Sequence, residues 1–162
     1  MIRIHPDARI SKLADIEDSV RGSSVIIGAN SMVDSFVKIK FVGGAGDVII
    51  GSFTYVNSGC VLYSGNGIKI GDHVAIAANC TLAPVNHAYQ DREQLISAQG
   101  FSPSKGGIEI EDDVWIGANC VILDGAILRK GVVVAAGSIV RGRLDAYGIY
   151  AGFPLTLKGR RQ

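Results

Sequence analysis

Three histidines, His5, His73 and His87, are the side chains best suited to moving a proton near neutral pH. An imidazole titrates near about 6.5, so one ring serves as base and acid within a single cycle. Their settings differ. His5 stands in a ragged N-terminal stretch, and His73 follows Ile70 by three places, at an outward position of a repeating coil. Only His87 lies in a segment, NHAYQDREQLISAQGF, that has no place in the repeat. That makes His87 the candidate base, with a surface-loop histidine as the alternative. Asp91 and Glu93 are candidates to fix its tautomer, with solvated loop charges as the alternative. The amides of Asn57 and Asn86 are candidates to orient a second reactant by hydrogen bonds. For Asn57 the other reading, a corner residue satisfying the backbone, stands beside this one. Trp115 precedes a corner isoleucine and so points outward, to line a site or an interface. Lys158, Arg160 and Arg161 suit phosphate contacts, or form a solvated basic tail.

The elements that must position these residues show in a repeat. Ile110, Ile116, Ile122, Leu128, Val134 and Val140 stand six apart without a break. Small residues recur four places after each, at Val114, Cys120, Ala126, Val132 and Ser138, with the large Leu144 at the last place. A period of six fits neither a helix nor a plain strand over this length. It fits a solenoid with three corners, in which three hexapeptides make one coil. Upstream, Ile4, Ile10 and Ile16 keep the step, then Ile27, Val33 and Ile39, then Ile50, Val56 and Leu62, then Ile70, Ile76 and Leu82. This predicts five full coils and a ragged N-terminal one, a prism roughly 25–30 Å tall at ~4.8 Å per coil. Phase is lost at SVRGSSV, at FVGGAGD, near Gly65 to Gly67, and across residues 83–109. The last is long enough to be a functional loop, and Tyr89, Leu95, Ile96 and Phe101 give it residues with which to pack. Solenoid ends need caps. Met1 to Ser19 is expected to form an irregular N-terminal cap, and residues 145–162 the C-terminal one. Gly152 and Pro154 argue against a regular strand there, leaving Leu155 to Arg161 as a short helix or an extended tail.

Composition narrows the function. The 162 residues suit one domain, 48% apolar, with 21 glycines for tight corners. A net charge of +1 without a basic stripe argues against nucleic acid. No apolar run approaches a membrane span, and the N-terminus lacks a signal-peptide layout, so a cytoplasmic protein is expected. Cys60, Cys80 and Cys120 share one phase of the repeat, which makes them small core fillers; without a CxxC pair no metal site is expected.

The units IGANSM, IGSFTY, IGDHVA, IAANCT, IEDDVW, IGANCV and VAAGSI resemble those of the hexapeptide-repeat acyltransferases. The resemblance covers nearly the whole chain and implies an all-β fold, a left-handed parallel β-helix. Right-handed crossovers are the general rule, so the hand comes from the resemblance alone. IEIEDDVWIGANCVILDGAILRKGVVVAAGSIV with YAGFP is similar to the branch that acetylates sugars and small molecules. NHAYQDREQLISAQGF is most similar to acetyltransferases of surface-polysaccharide biosynthesis. The resemblance implies acetyl-CoA as acyl donor, His87 as general base and Asn57 as an acceptor contact. It implies Trp115 beside the coenzyme and backbone contacts to its pantetheine arm at Ala118 and Ala136. It also implies a homotrimer with its active sites between adjacent subunits. The chain departs from the pattern at Arg141, Gly142 and Arg143, where the family often has a lysine run, and at Thr156, where it often has a basic residue. That shifts the expected phosphate contacts to Lys158 and Arg160.

The reading is an acetyltransferase acting on a sugar hydroxyl, with N-acetylation of a nucleotide-linked aminosugar as the alternative. A γ-class carbonic anhydrase would share the helix but needs three zinc-binding histidines, and His5, His73 and His87 show no ligand spacing. A non-enzymatic scaffold would not need the NHAY segment.

Overall fold

The structure is a computed structural model that describes residues 1–162. Its strands form three parallel sheets, each one face of a triangular prism. Each coil contributes one short strand to each face in turn. In the coil at residues 108–123 these are Ile108–Ile110, Trp115–Ile116 and Val121–Leu123. The first face has seven strands and the third has six, so there are six complete coils and a partial seventh.

The six-residue step is the step between inward-facing positions. Ile27, Ile50, Ile70, Ile110 and Leu128 stack in register on the first face. Val33, Val56, Ile76, Ile116 and Val134 do so on the second, and Ile39, Leu62, Leu82, Ile122 and Val140 on the third. All are buried, and with the small residues at the corners they form one continuous core. Burying each large aliphatic side chain contributes about 1.5–3 kcal/mol. Cys60, Cys80 and Cys120 sit in that core as free thiols, one above another.

Directly superposed coils bring backbones close at the edges. On the first edge, between the first and second faces, a Cβ on Gly51 would lie 2.5 Å from the carbonyl oxygen of Gly71. Only glycine fits there. Two places on, Phe53 and His73 hold positive φ and stack ring on ring at 5.0 Å. His73 is therefore a member of an edge stack.

All four phase losses fall on the third edge, between the third and first faces. Residues 17–24, 41–47, 64–67 and 84–107 leave the coil there, while residues 124–126 turn the same corner without excess. The large insertion therefore spans 84–107, because Ala83 still belongs to the strand Thr81–Ala83 and Ile108 begins the next.

Both ends differ from expectation. Met1 to Ser19 is not an irregular cap. Residues 2–16 form a regular coil whose strands pair in register with Val25–Ile27, Met32–Val33 and Lys38–Lys40. The phase slip after it is a loop at the third edge, which leaves the coil intact. At the other end, Gly148–Ala151 continues the second face, and Thr156–Arg160 folds back on it antiparallel. Gly152 and Pro154 occupy the turn of this hairpin, so they shape the strands where they were expected to forbid them. Of the two alternatives for the tail, the extended one is found.

Candidate active site

The insertion is built as a stalk and a tip. On the stalk, His87 and Phe101 face each other as an antiparallel bridge. The Ala88 N–H donates to the Gly100 carbonyl at 3.0 Å, and the Ser102 N–H to the Asn86 carbonyl at 2.8 Å. The Ser102 hydroxyl donates to the His87 carbonyl at 3.1 Å. The Phe101 ring lies 4.8 Å from the His87 ring, tilted by 35°. The tip carries one helical turn, Ile96–Gln99. It is closed by Gln99, whose side-chain amide donates to the carbonyls of Asp91 and Gln94. Asp91 accepts from the Glu93 N–H and the Gln94 amide, and Glu93 pairs with Arg92. Neither carboxylate is engaged with His87.

The stalk is fixed to the coil at the third edge. Asp124 is 6% exposed. Its carboxylate accepts the N–H groups of Lys105 at 2.8 Å and Gly107 at 2.9 Å, and the Asn66 amide at 3.1 Å. The Gly125 N–H donates to the Gly107 carbonyl at 2.7 Å, and the Asn66 N–H to the Pro84 carbonyl at 3.1 Å. At Gly125, with φ +82°, a Cβ would press on Lys105 at 2.9 Å. Val85 and Phe101 pack over Gly43, in the loop one coil further toward the N-terminus. The outcome is an exposed imidazole on a rigid arm, held at one place along the prism.

The other sequence candidates lie elsewhere in the chain. Trp115 projects from the second face, 55% exposed, in register with Tyr55, Ala75 and Val133. Ala118 and Ala136 line the second edge, between the second and third faces, in adjoining coils, and Asn57 lies on the same edge two coils further toward the N-terminus. The side-chain amide of Asn57 donates to the Ile76 carbonyl at 2.7 Å, as the corner reading expects. Asn86 sits beside His87 on the stalk, exposed. Thus His87 and Asn86 fall together on the third edge. Trp115, Ala118 and Ala136 fall at or beside the second edge, on the far side of the third face, with Asn57 on that edge two coils away.

The C-terminal cations run toward the first edge. Arg160 donates to the Ala146 carbonyl at 3.1 Å, and Arg161 pairs with Asp113 at 2.8 Å under the Tyr147 ring. Lys158 lies on the exposed hairpin strand. A cleft of about 790 Å³ that the residue spacing does not announce lies between the stalk and the third edge and draws on Tyr89, Gln90, Ser104, Lys105 and Arg141. The Arg141-Gly142-Arg143 departure was its only signal.

Two of the three thiols, Cys80 and Cys120, are poor nucleophiles, whereas contact with Cys80 holds Cys60 below the ordinary thiol value. Cys80 feels a lowering contact from Cys120, outweighed by Cys60 and by burial, and is pushed up to about 11. Contact with Cys80 and burial push Cys120 higher still. His5 and His73 stand on the first edge, three coils apart, and His87 on the third. No group of three or more His, Cys, Asp or Glu converges to hold a metal, and no helix is long and apolar enough to cross a membrane.

Residues 107–142 match the bacterial transferase hexapeptide (six repeats). The lipopolysaccharide biosynthesis O-acetyl transferase named WbbJ of Escherichia coli K12 is 28% identical over 138 residues, 82% of this chain and 67% of that protein. The galactoside O-acetyltransferase of the same organism is 28% identical over 148 residues, 89% of this chain and 68% of that one. Among solved structures, AntD, an N-acyltransferase from Bacillus cereus in complex with dTDP and 3-hydroxybutyryl-CoA, superposes with a TM-score of 0.82. It is 24% identical, over 99% of this chain and 83% of that one. The chain is a hexapeptide-repeat protein, and its fold is the left-handed parallel β-helix.

Proposed function

We propose that this hexapeptide-repeat chain is an acetyl-CoA-dependent acetyltransferase that acylates a sugar hydroxyl, with His87 as its general base. The observation that carries the reading is the exposed His87 ring on a stalk bolted to the coil by Asp124. The relatives named as sugar and lipopolysaccharide O-acetyltransferases support it, and suggest surface-polysaccharide biosynthesis as the setting.

The chemistry asked of the chain is small. His87 takes the proton from the acceptor hydroxyl as its oxygen attacks the thioester carbonyl. A backbone N–H at a coil corner donates to the oxyanion that develops. The intermediate collapses, the C–S bond breaks, and the imidazolium returns its proton to the coenzyme's thiolate. Asn86 is placed beside the base to orient the acceptor, and Asn57 still offers its amide oxygen. Trp115 offers an exposed ring to the coenzyme, with Ala118 and Ala136 as the small residues along which the pantetheine arm lies. Lys158 is free to meet the coenzyme's phosphates, whereas Arg160 must first leave Ala146.

His87 and Trp115 flank opposite sides of the third face, which supports a site that adjacent subunits share. A homotrimer, with each site shared by two adjacent subunits, joins them. A cytoplasmic location fits the supply of acetyl-CoA. N-acylation of a nucleotide-linked aminosugar is the second reading, favoured by the likeness of fold to AntD.

The test is acetyl-CoA turnover with a panel of sugars and nucleotide-linked aminosugars, wild type beside His87→Ala. Acceptor-dependent thiol release that falls by a factor on the order of 10²–10⁴ in the variant is expected. Full activity in the variant would remove His87 from the mechanism.

A further inference from the structure

The cleft under the stalk has a charge pattern of its own. Its walls come from both limbs of the insertion and from the third-edge corners at residues 123–125 and 141–142. Three of its lining residues carry formal charge: Lys105, Arg141 and Asp124. Asp124 is turned inward and spends its charge on two backbone N–H groups and the Asn66 amide. The ammonium of Lys105 and the guanidinium of Arg141 enter none of the chain's ion pairs and are exposed. Lys105 stays where it is because its own N–H is the one that Asp124 holds, so the cation is mounted on the same bolt as the stalk. Tyr89 adds an aromatic face, 66% exposed, and Gln90 and Ser104 add polar groups.

By contrast, the basic tail offers Lys158 alone, since Arg160 and Arg161 are engaged at the first edge. Two uncompensated cations beside an aromatic ring suit a phosphate ester or diphosphate next to a flat ring. A neutral sugar makes no use of them.

Resting on the acetyltransferase reading, we propose that Lys105 and Arg141 form a phosphate subsite for one of the two substrates. The phosphate belongs either to a nucleoside diphosphate that carries the acceptor sugar or to the coenzyme. Both present the same chemistry to the cleft, and binding separates them.

The experiment is isothermal titration of the intact protein with uridine diphosphate and, separately, with coenzyme A. Wild type, Lys105→Gln, Arg141→Gln and the double variant are compared at two salt concentrations. Both positions are exposed, so the variants are expected to melt with the wild type. Each single change should weaken the bound probe on the order of tenfold or more, the double change further, with a shallower salt dependence. Loss confined to uridine diphosphate assigns the phosphate to the acceptor, loss confined to coenzyme A assigns it to the donor, and loss of both gives the cleft to each. A wild type that binds neither probe overturns the proposal, as does a double variant that binds them as tightly as wild type. The turnover assay fails separately. Phosphate binding without acyl transfer would sink the acetyltransferase reading and keep the subsite, and transfer with unchanged binding would do the reverse.

Discussion

The Asp124 carboxylate accepts the backbone N–H of Lys105 at 2.8 Å, across 19 residues, and so joins a coil corner to the returning limb of the insertion. The bond lies in a nearly closed environment, because Asp124 is 6% exposed. Replacing it with asparagine sets an amide N–H₂ against backbone donors at one of its two oxygens. Asp124→Asn is expected to destabilise the chain by about 1–3 kcal/mol, the cost of an unmet buried donor. Hydrogen exchange should quicken at the amides of Lys105 and Gly107 and stay slow at Val114 to Ile116. Unchanged exchange at those two amides would show that the stalk holds without the carboxylate.

Phe101 acts on His87 through ring contact at 4.8 Å and through the bridge between their backbones. On the proposed reading of His87 as base, Phe101 is a positioning residue. Phe101→Ala is expected to lower kcat on the order of tenfold to a hundredfold, the scale of losing a preferred geometry, with KM changed less. Restored kcat in Phe101→Leu would assign the effect to packing. A Phe101→Ala enzyme with wild-type kcat would free His87 from this neighbour.

The inner faces of this fold were legible because burial at a corner repeats every six residues, and nothing but the core imposes it. The insertion was legible for the same reason, as a gap from Leu82 to Ile110. Other features rest on contacts that sequence spacing does not encode. Lys105 and Asp124 meet only because Ile68–Ile70 and Ile108–Ile110 pair across the insertion. Arg161 is spent on Asp113, 48 residues away, so its basicity said nothing about phosphate. Phe53, His73 and Tyr147 hold positive φ where glycine or asparagine is the usual expectation, so the first edge could not be placed from turn residues alone. The C-terminal strands were hidden because glycine and proline mark a hairpin turn as readily as a strand break.

Glu111 and Arg129 form an ion pair at the first edge, and Glu111 also accepts the Lys130 N–H at 2.7 Å. The hydrogen bond from Arg129, foremost, and that from Lys130 hold the Glu111 carboxyl below its ordinary value of 4.5. A lowered folded-state value means that the ionised form is the one folding favours. Its contribution is therefore complete above the ordinary glutamate value and is lost as pH falls through the folded one. Thermal melts of wild type and Glu111→Gln should differ at pH 7 and converge as pH is lowered past 4.5. Equal melting temperatures at pH 7 would show that the pair contributes nothing net to stability.

His87 and Trp115 lie on different sides of the third face, and every hydrogen bond that ties the insertion to the coil falls at the third edge. If base and coenzyme groove work together, they do so across a subunit boundary. His87→Ala and Trp115→Ala should each be nearly inactive as pure proteins, the first for want of a base, the second for want of the ring beside the coenzyme. Mixed trimers made by co-expression should regain activity, because some boundaries pair an intact His87 from one subunit with an intact Trp115 from the next. With random assembly of equal amounts, roughly a quarter of the sites are restored in a closed ring of identical interfaces. Turnover near that fraction of wild type, absent when the separately purified variants are mixed without exchange, establishes the shared site. Turnover at the level of the pure variants would place base and groove within one chain, and the insertion would then have to leave the third edge to reach Trp115.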